Sequence, residues 1–229
     1  MPLHIWLQEA HPAAPSPVSA LMSGVVIKTG IYGLARVISF FPAFPAWWGV
    51  LLVMIGTTSG ILGVLWALAQ HDVKRLLAYH SIENIGIIAL GLGFGCLGLS
   101  LHQPVVGMLG LAGGLWHVLN HGLFKSLLFL GAGSVFHATG SRNMDHLGGL
   151  LKQMPGTGLC VLIGSVAICG LPPLNGFVSE WLIYHASLNL GLQYGSFYFL
   201  LGVPALALIG ALAAACFAKA FGVQFLGLA

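Results

Sequence analysis

The chain has 229 residues, of which 58% are hydrophobic and only 6% are charged, with a net charge of +3. Soluble globular proteins carry about 25% charged residues, so this composition excludes a water-soluble fold and predicts an all-α integral membrane protein in a lipid bilayer. The small net charge gives no indication of nucleic-acid binding. Single cysteines in apolar stretches favour buried thiols over disulfides or a metal site, and these are Cys96, Cys160, Cys169 and Cys216.

Six stretches are apolar and long enough to cross the hydrocarbon core, which takes about 20 residues in a helix. The predicted spans cover residues 16–41, 47–70, 76–101, 105–136, 155–188 and 197–221. The fifth stretch is too long for one plain helix and contains the sequence GLPPLNG at residues 170–176. Proline and glycine interrupt helical hydrogen bonding, so we expect a broken helix there with backbone groups free inside the membrane.

Basic residues in the predicted loops are confined to one side of the membrane. The loops after the second and fourth spans carry Lys74, Arg75, Arg142 and Lys152, whereas the alternate loops contain no Lys or Arg. Because cytoplasmic loops are enriched in Lys and Arg, this bias predicts that loops 71–75 and 137–154 are cytoplasmic.

Ionisable residues inside the spans are candidates for function. A charge near the bilayer centre costs at least about 2.5 kcal/mol and faces a bundle interior or a water path. Lys28 lies well inside the first span, as a functional cation or as half of a structural ion pair. Arg36 is nearer the end of that span, where snorkelling to the interface is at least as good an interpretation. His80, Glu83 and Asn84 share one helix face, and Glu83 is either a proton carrier or the partner of an intramembrane cation.

The fourth span carries the strongest pattern, with His117, His121 and Lys125 spaced four residues apart. Four residues advance a helix by about 400°, so these side chains form one stripe. A lone membrane histidine is usually a packing residue, but two histidines and a lysine in line indicate a hydrated proton relay. Histidine suits this chemistry because it exchanges protons near neutral pH. A metal at His117 and His121 would need further ligands that the sequence does not offer.

Glu180 follows the predicted helix break by a few residues and is a candidate gate or terminal relay group, since broken membrane helices can hold water or an ion. The sequence contains no GxSxG, HExxH or P-loop motif. Nothing in it suggests a haem, an iron–sulfur ligand set or a flavin. We therefore expect no catalytic residues and no cofactor in this chain.

The chain contains, in order, PLHIWLQEAH (residues 2–11), APSPVSAL (14–21), DVKRLLAY (72–79), HGLFKSLLF (121–129) and GLPPLNGF (170–177). Together these motifs resemble the antiporter-like proton-pumping subunits of respiratory complex I, Mrp-type sodium/proton antiporters and membrane-bound group 4 hydrogenases. The segment HSIENIG at residues 80–86 is most similar to the branch of hydrogenase 4 component B and formate hydrogenlyase subunit 3.

The resemblance implies a role for each matching position. Lys28 corresponds to a bridging lysine in the helix after a first broken helix. His117, His121 and Lys125 correspond to the central relay, and Glu180 to the terminal group in a second broken helix.

The resemblance also implies a non-redox membrane subunit of a hydrogenase, formate hydrogenlyase or complex I-like complex in the plasma membrane. Protons would move through the intramembrane Lys, His and Glu relay, driven by electron transfer at iron–sulfur and metal centres in partner subunits. Residues 1–229 resemble only about the eighth to thirteenth family helices, so we expect a partial domain. An Mrp-type subunit that also handles sodium, and an inert truncated fragment, remain as alternatives.

Overall fold

The computed structural model describes residues 4–41 and 45–227, and these residues are almost entirely helical. The helices are α1 (Ile5–Ala13), α2 (Ser16–Leu21), α3 (Ile27–Ser39), α4 (Ala46–Leu68), α5 (Val73–Ser100), α6 (Pro104–Thr139), α7 (Leu150–Gln153), α8 (Pro155–Ile168), α9 (Asn175–Tyr194), α10 (Phe197–Leu200) and α11 (Gly202–Phe221). Single π-helical turns follow α2 and α11, at Met22–Val26 and Gly222–Leu226, and a short 3-10 turn spans Met144–His146. The predicted all-α fold is confirmed.

Four helical stretches in the described part of the chain are long and apolar enough to cross a membrane. They are Ser16–Ser39, Ala46–Leu68, Val73–Ser100 and Phe197–Leu226. Helix α6 has 36 residues but carries the polar stripe, while α8 has 14 residues and α9 is rich in polar groups. The count of six spans therefore stays a prediction.

The predicted break in the fifth span is present. Helix α8 ends at Ile168 and α9 begins at Asn175. Between them Gly170 has a φ of +63°, a left-handed conformation that glycine adopts without steric cost. The two prolines that follow cannot donate backbone hydrogen bonds, so the helix cannot continue through them.

Both predicted loop boundaries need correction, because α5 begins earlier and α6 ends later than expected. Helix α5 begins at Val73, so Lys74 and Arg75 lie in its first turn and not in a loop 71–75. The Asp72 carboxylate caps this helix, accepting from the backbone N–H of Lys74 at 2.8 Å and of Arg75 at 3.1 Å. Helix α6 continues to Thr139 and ends on Gly140 (φ +72°), which shortens the predicted loop 137–154 to 140–154.

The two loops meet at one end of the bundle, as predicted. Asp72 and Asn143 form an antiparallel bridge, in which the N–H of Val73 donates to Arg142 O at 3.1 Å. His71 Nδ1 lies 2.8 Å from the Asp145 carboxylate. Which side of the membrane this end faces stays a prediction.

Helix α5 is the centre of the bundle, buried along nearly its whole length between α4 and α6. Its contact with α4 is a glycine seam, because a Cβ on Gly86 would lie 2.6 Å from Gly56 O and Gly60 N. Small residues allow such close helix packing in membranes. The opposite face of α4 exposes large apolar side chains such as Met54 and Leu65, as a lipid-facing surface requires.

Three of the four cysteines are buried as expected, but Cys160 is exposed on α8. Its neighbours Leu159 and Leu162 are exposed as well. This face of the short helix α8 is apolar and turned outward, so burial inside the protein was the wrong expectation for this thiol.

Candidate functional site

The structure brings all six predicted site residues into the bundle interior. Their exposed fractions are Lys28 7%, Glu83 1%, His117 0%, His121 0%, Lys125 0% and Glu180 6%. Hydrogen bonds cross between the helices in this region, from His117 to Asn84 and Ser179 and from Lys125 to the Leu77 carbonyl. The six groups therefore lie in one buried polar core formed by α3, α5, α6 and α9.

Lys125 lies at one end of the stripe on α6. Its ammonium donates a hydrogen bond to the Leu77 carbonyl on α5 at 2.5 Å and stands 5.7 Å from the centre of the Phe129 ring. Both contacts stabilise a cation in an apolar environment. Leu77 lies one helical turn before Ser81, so the lysine is fixed against the polar face of α5.

His117 joins three helices. Its Nδ1 lies 2.9 Å from Ser179 Oγ on α9, and its Nε2 lies 3.0 Å from Asn84 Oδ1 on α5. Both ring nitrogens of His117 are therefore engaged by protein groups. In residues 4–41 and 45–227 no group of three or more His, Cys, Asp or Glu residues is arranged to hold a metal ion.

An amide network anchors the start of α9 to α6. Asn120 Nδ2 donates to Asn175 O at 2.7 Å and to Ser179 Oγ at 3.0 Å. Asn175 Nδ2 donates in return to Asn120 Oδ1 at 3.1 Å. Asn175 is the first residue of α9 after the break. The network therefore fixes the start of α9 against the histidine stripe of α6.

Glu83 is hydrogen-bonded to a histidine of its own helix. One carboxylate oxygen bonds His80 Nδ1, one helical turn earlier on α5. The other carboxylate oxygen and His80 Nε2 have no hydrogen-bond partner among the described residues. Glu83 and His80 therefore form a buried titratable pair.

Lys28 is held by the π-helical turn that precedes α3. Its ammonium donates to the carbonyl of Ser23, which lies inside that turn. The Ser23 hydroxyl is 2.8 Å from the Ser81 hydroxyl on α5. The ion pairs of the described residues do not include Lys28.

Glu180 lies against the helix break. A Cβ on Gly170 would stand 2.8 Å from Glu180 Cδ and 2.9 Å from its Oε1. The missing side chain at position 170 thus leaves the room that the carboxyl group occupies. Arg36, by contrast, is exposed near the end of α3, with its guanidinium 4.9 Å from the centre of the Phe40 ring, as the snorkelling interpretation expects.

Sequence reasoning missed several polar residues of this core. Ser179, Ser23 and Ser81 are fully buried and contact the predicted residues. His11 of α1 is also fully buried, its ring centre 4.6 Å from that of Phe129. Of these residues, only Ser179 could have been noticed in the sequence, because it lies between the predicted helix break and the candidate residue Glu180.

Residues 1–204 match the family described as NADH:quinone oxidoreductase/Mrp antiporter, TM. Two curated relatives from Escherichia coli (strain K12) match 99% of this chain. Hydrogenase-4 component B is 49% identical over 233 residues, and formate hydrogenlyase subunit 3 is 48% identical over 231 residues. The chain spans 35% and 38% of the length of these two relatives.

Two solved structures share the fold. A chain of the membrane-bound sulfane sulfur reductase, an archaeal respiratory membrane complex, superimposes with a TM-score of 0.83 at 30% identity, over 98% of this chain and 43% of that one. A chain of the Mrp complex from Dietzia sp. DQ12-45-1b superimposes with a TM-score of 0.85 at 25% identity, over 100% of this chain and 39% of that one.

Proposed function

This chain belongs to the NADH:quinone oxidoreductase/Mrp antiporter transmembrane family, and from that premise we propose that it is the relay-bearing part of a proton-translocating membrane subunit. The observation that carries the proposal is the set of buried ionisable groups in the bundle interior. Lys28, the α6 stripe, Glu83 and Glu180 are all at most 7% exposed, and hydrogen bonds join His117 of the stripe to α5 and α9. Charges inside a membrane are costly and mark ion paths.

The relatives favour one kind of complex for this subunit. At 48–49% identity, the hydrogenase-4 and formate hydrogenlyase proteins favour a hydrogenase-type oxidoreductase complex. In such a complex the redox centres belong to partner subunits and the present chain moves protons. The loops that meet at Asp72 and Asn143 face the cytoplasm in this proposal, because the basic residues cluster there.

The superposition on a chain of an Mrp complex supports a second candidate, a sodium/proton antiporter subunit. The two candidates differ in what drives transport. Proton uptake into vesicles that requires an electron donor supports the first, whereas sodium-gradient-driven proton movement without any donor supports the second. Liposomes containing residues 1–229 alone test the third alternative, an inert fragment.

The test of the relay removes a buried cation from the complete subunit in its complex. We expect Lys125→Ala and His121→Ala each to reduce donor-driven proton uptake in inside-out vesicles at least about tenfold, the scale of a lost acid–base group, while the complex still assembles. Arg36→Ala is the matched control, since it removes an exposed cation of α3 and should leave pumping intact. Wild-type pumping in both stripe variants would contradict the relay.

A further inference from the structure

We propose that Ser179 is a positioning residue whose hydroxyl turns between two acceptors, so that His117 takes up and releases a proton only at Nδ1. The inference rests on the proposed proton-relay function and adds to it the atom at which the proton is held. Asn84 is the second residue of this arrangement, because it keeps Nε2 of His117 protonated in both the neutral and the cationic ring. Three fully or nearly fully buried side chains from α5, α6 and α9 compose it.

The Asn84 amide has only one orientation that satisfies its neighbours. Its Nδ2 donates to the His80 carbonyl at 2.8 Å, and a reversed amide would place two oxygens against each other there. Oδ1 therefore faces His117 Nε2 at 3.0 Å. An amide oxygen has no hydrogen to donate, so Nε2 must carry a hydrogen whether the ring is neutral or cationic.

The Ser179 hydroxyl has one hydrogen and two possible acceptors. Its oxygen is 2.9 Å from Gly176 O and 2.9 Å from His117 Nδ1. It also accepts from Asn120 Nδ2, which Asn175 O holds in that orientation. The Asn120 contact uses one lone pair of Ser179 Oγ. The hydroxyl hydrogen can then be donated either to Gly176 O or to His117 Nδ1.

Each protonation state of His117 selects one position of that hydrogen. When the ring is neutral, Ser179 donates to the bare Nδ1. When the ring is cationic, its Nδ1 donates to Ser179 Oγ, and the hydroxyl hydrogen turns to the Gly176 carbonyl. The two states therefore differ by one proton at Nδ1 and by the direction of the hydroxyl hydrogen, and no heavy atom has to move.

Both states are fully hydrogen-bonded, which matters because an unpaired polar group costs about 1–3 kcal/mol when buried. His121, one turn along α6, has no hydrogen-bond partner for either ring nitrogen among the described residues. His117 is therefore the histidine of the stripe whose ring is held in one orientation by its hydrogen bonds. Gly176 and Ser179 lie in the first turns of α9. A change in the charge of His117 therefore changes a hydrogen bond at the start of the broken helix that carries Glu180.

The direct test is ¹⁵N solid-state NMR of the complete complex with ¹⁵N-labelled histidine, with His117 assigned by the signal that His117→Gln removes. We expect neutral His117 to carry its hydrogen on Nε2. A neutral ring with its hydrogen on Nδ1 would overturn the proposal, and this measurement needs no Ser179 variant to fold.

The variants test the hydroxyl. Ser179→Ala removes the hydrogen bond that the hydroxyl donates to the bare Nδ1 of the neutral ring and accepts from the cationic ring. We therefore expect the ¹⁵N signal of Nδ1 to shift and donor-driven pumping to fall about tenfold. Ser179→Thr keeps the hydroxyl and should restore both. An unchanged Nδ1 signal or unchanged pumping in the assembled Ser179→Ala complex would overturn the role. Failure of the proposed function would look different. In that case the Lys125→Ala complex pumps normally, while the His117 tautomer is as expected.

Discussion

Gly170 and Glu180 depend on each other at the helix break. Gly170 combines a left-handed backbone with direct contact to the Glu180 carboxyl group. A substitution there adds backbone strain of about 1–2 kcal/mol and also collides with the carboxyl group. The collision should displace Glu180 from its position in the polar core.

We predict that Gly170→Ala in the complete subunit abolishes most proton pumping while the complex still assembles. Gly140→Ala is the matched control, because Gly140 has a φ of +72° but nothing within 4 Å of its added Cβ. It carries the strain without the collision. Pumping is measured as donor-driven proton uptake in vesicles. Equal pumping by the two assembled variants would show that transport does not depend on the position of the Glu180 carboxyl group.

The charged members of the polar core stand out in the sequence, whereas most of its hydroxyl groups do not. Lys28, Lys125 and Glu180 stand out because a charge within an apolar span is costly and therefore rare. Ser23 and Ser81 do not stand out, since hydroxyls commonly bond to carbonyls of their own helix. Their function depends on which helices pack together, which no spacing along one helix reveals.

At the scale of whole helices, the glycine seam between α4 and α5 determines how closely the core helices approach. A Cβ on Gly86 would overlap the backbone of α4, while a Cβ on Gly33 of α3 meets nothing within 4 Å. Alanine is the better helix former at both positions. The two substitutions therefore differ mainly in steric overlap.

We predict that Gly86→Ala destabilises the purified complex by about 1–3 kcal/mol, the usual effect of overpacking. It should appear as a lower midpoint in thermal unfolding followed by tryptophan fluorescence, together with reduced incorporation into the complex. Gly33→Ala should match the unsubstituted protein. A midpoint for Gly86→Ala at or above that of Gly33→Ala would show that the seam is loosely packed.

Helix positions follow from the sequence more securely than helix ends. The Gly and Pro residues between Ile168 and Asn175 locate the break because they act on the backbone directly. The ends at Val73 and Thr139 were misplaced, because Asp72 and Gly140 cap the helices beyond the point where polar residues suggest a loop. Charges in a first turn are compatible with helix when a capping residue precedes them.

At the scale of the whole molecule, the end of the bundle that carries Lys152 should face the cytoplasm. Gln153 ends α7 there, and Gln193 lies near the far end of α9, with both residues exposed. They are a chemically matched pair at opposite ends of the fold.

We predict that a membrane-impermeant maleimide labels Gln153→Cys in inside-out vesicles and Gln193→Cys in right-side-out vesicles. Cys160 is replaced by serine in both variants, because it is the exposed native thiol of the described residues. Labelling of both positions from one side would contradict the predicted topology.

The assembly of the site depends on the packing of α5, α6 and α9, which the sequence does not specify. Sequence spacing placed His117 and Lys125 on one stripe, but only the fold shows Asn84 and Ser179 on either side of His117. The similarity to chains of larger complexes supports the same packing in the complete subunit.

Donor-driven proton uptake by the complete complex with Glu180→Gln tests the proposed relay most directly. Glutamine keeps the size and hydrogen-bonding capacity of glutamate but cannot take up or release a proton at neutral pH. We predict assembled complex, normal electron transfer with artificial acceptors and proton uptake reduced at least about tenfold, with partial uptake retained by Glu180→Asp. Wild-type uptake in the Glu180→Gln complex would contradict a proton-carrying role and leave Glu180 as a brace for the broken helix.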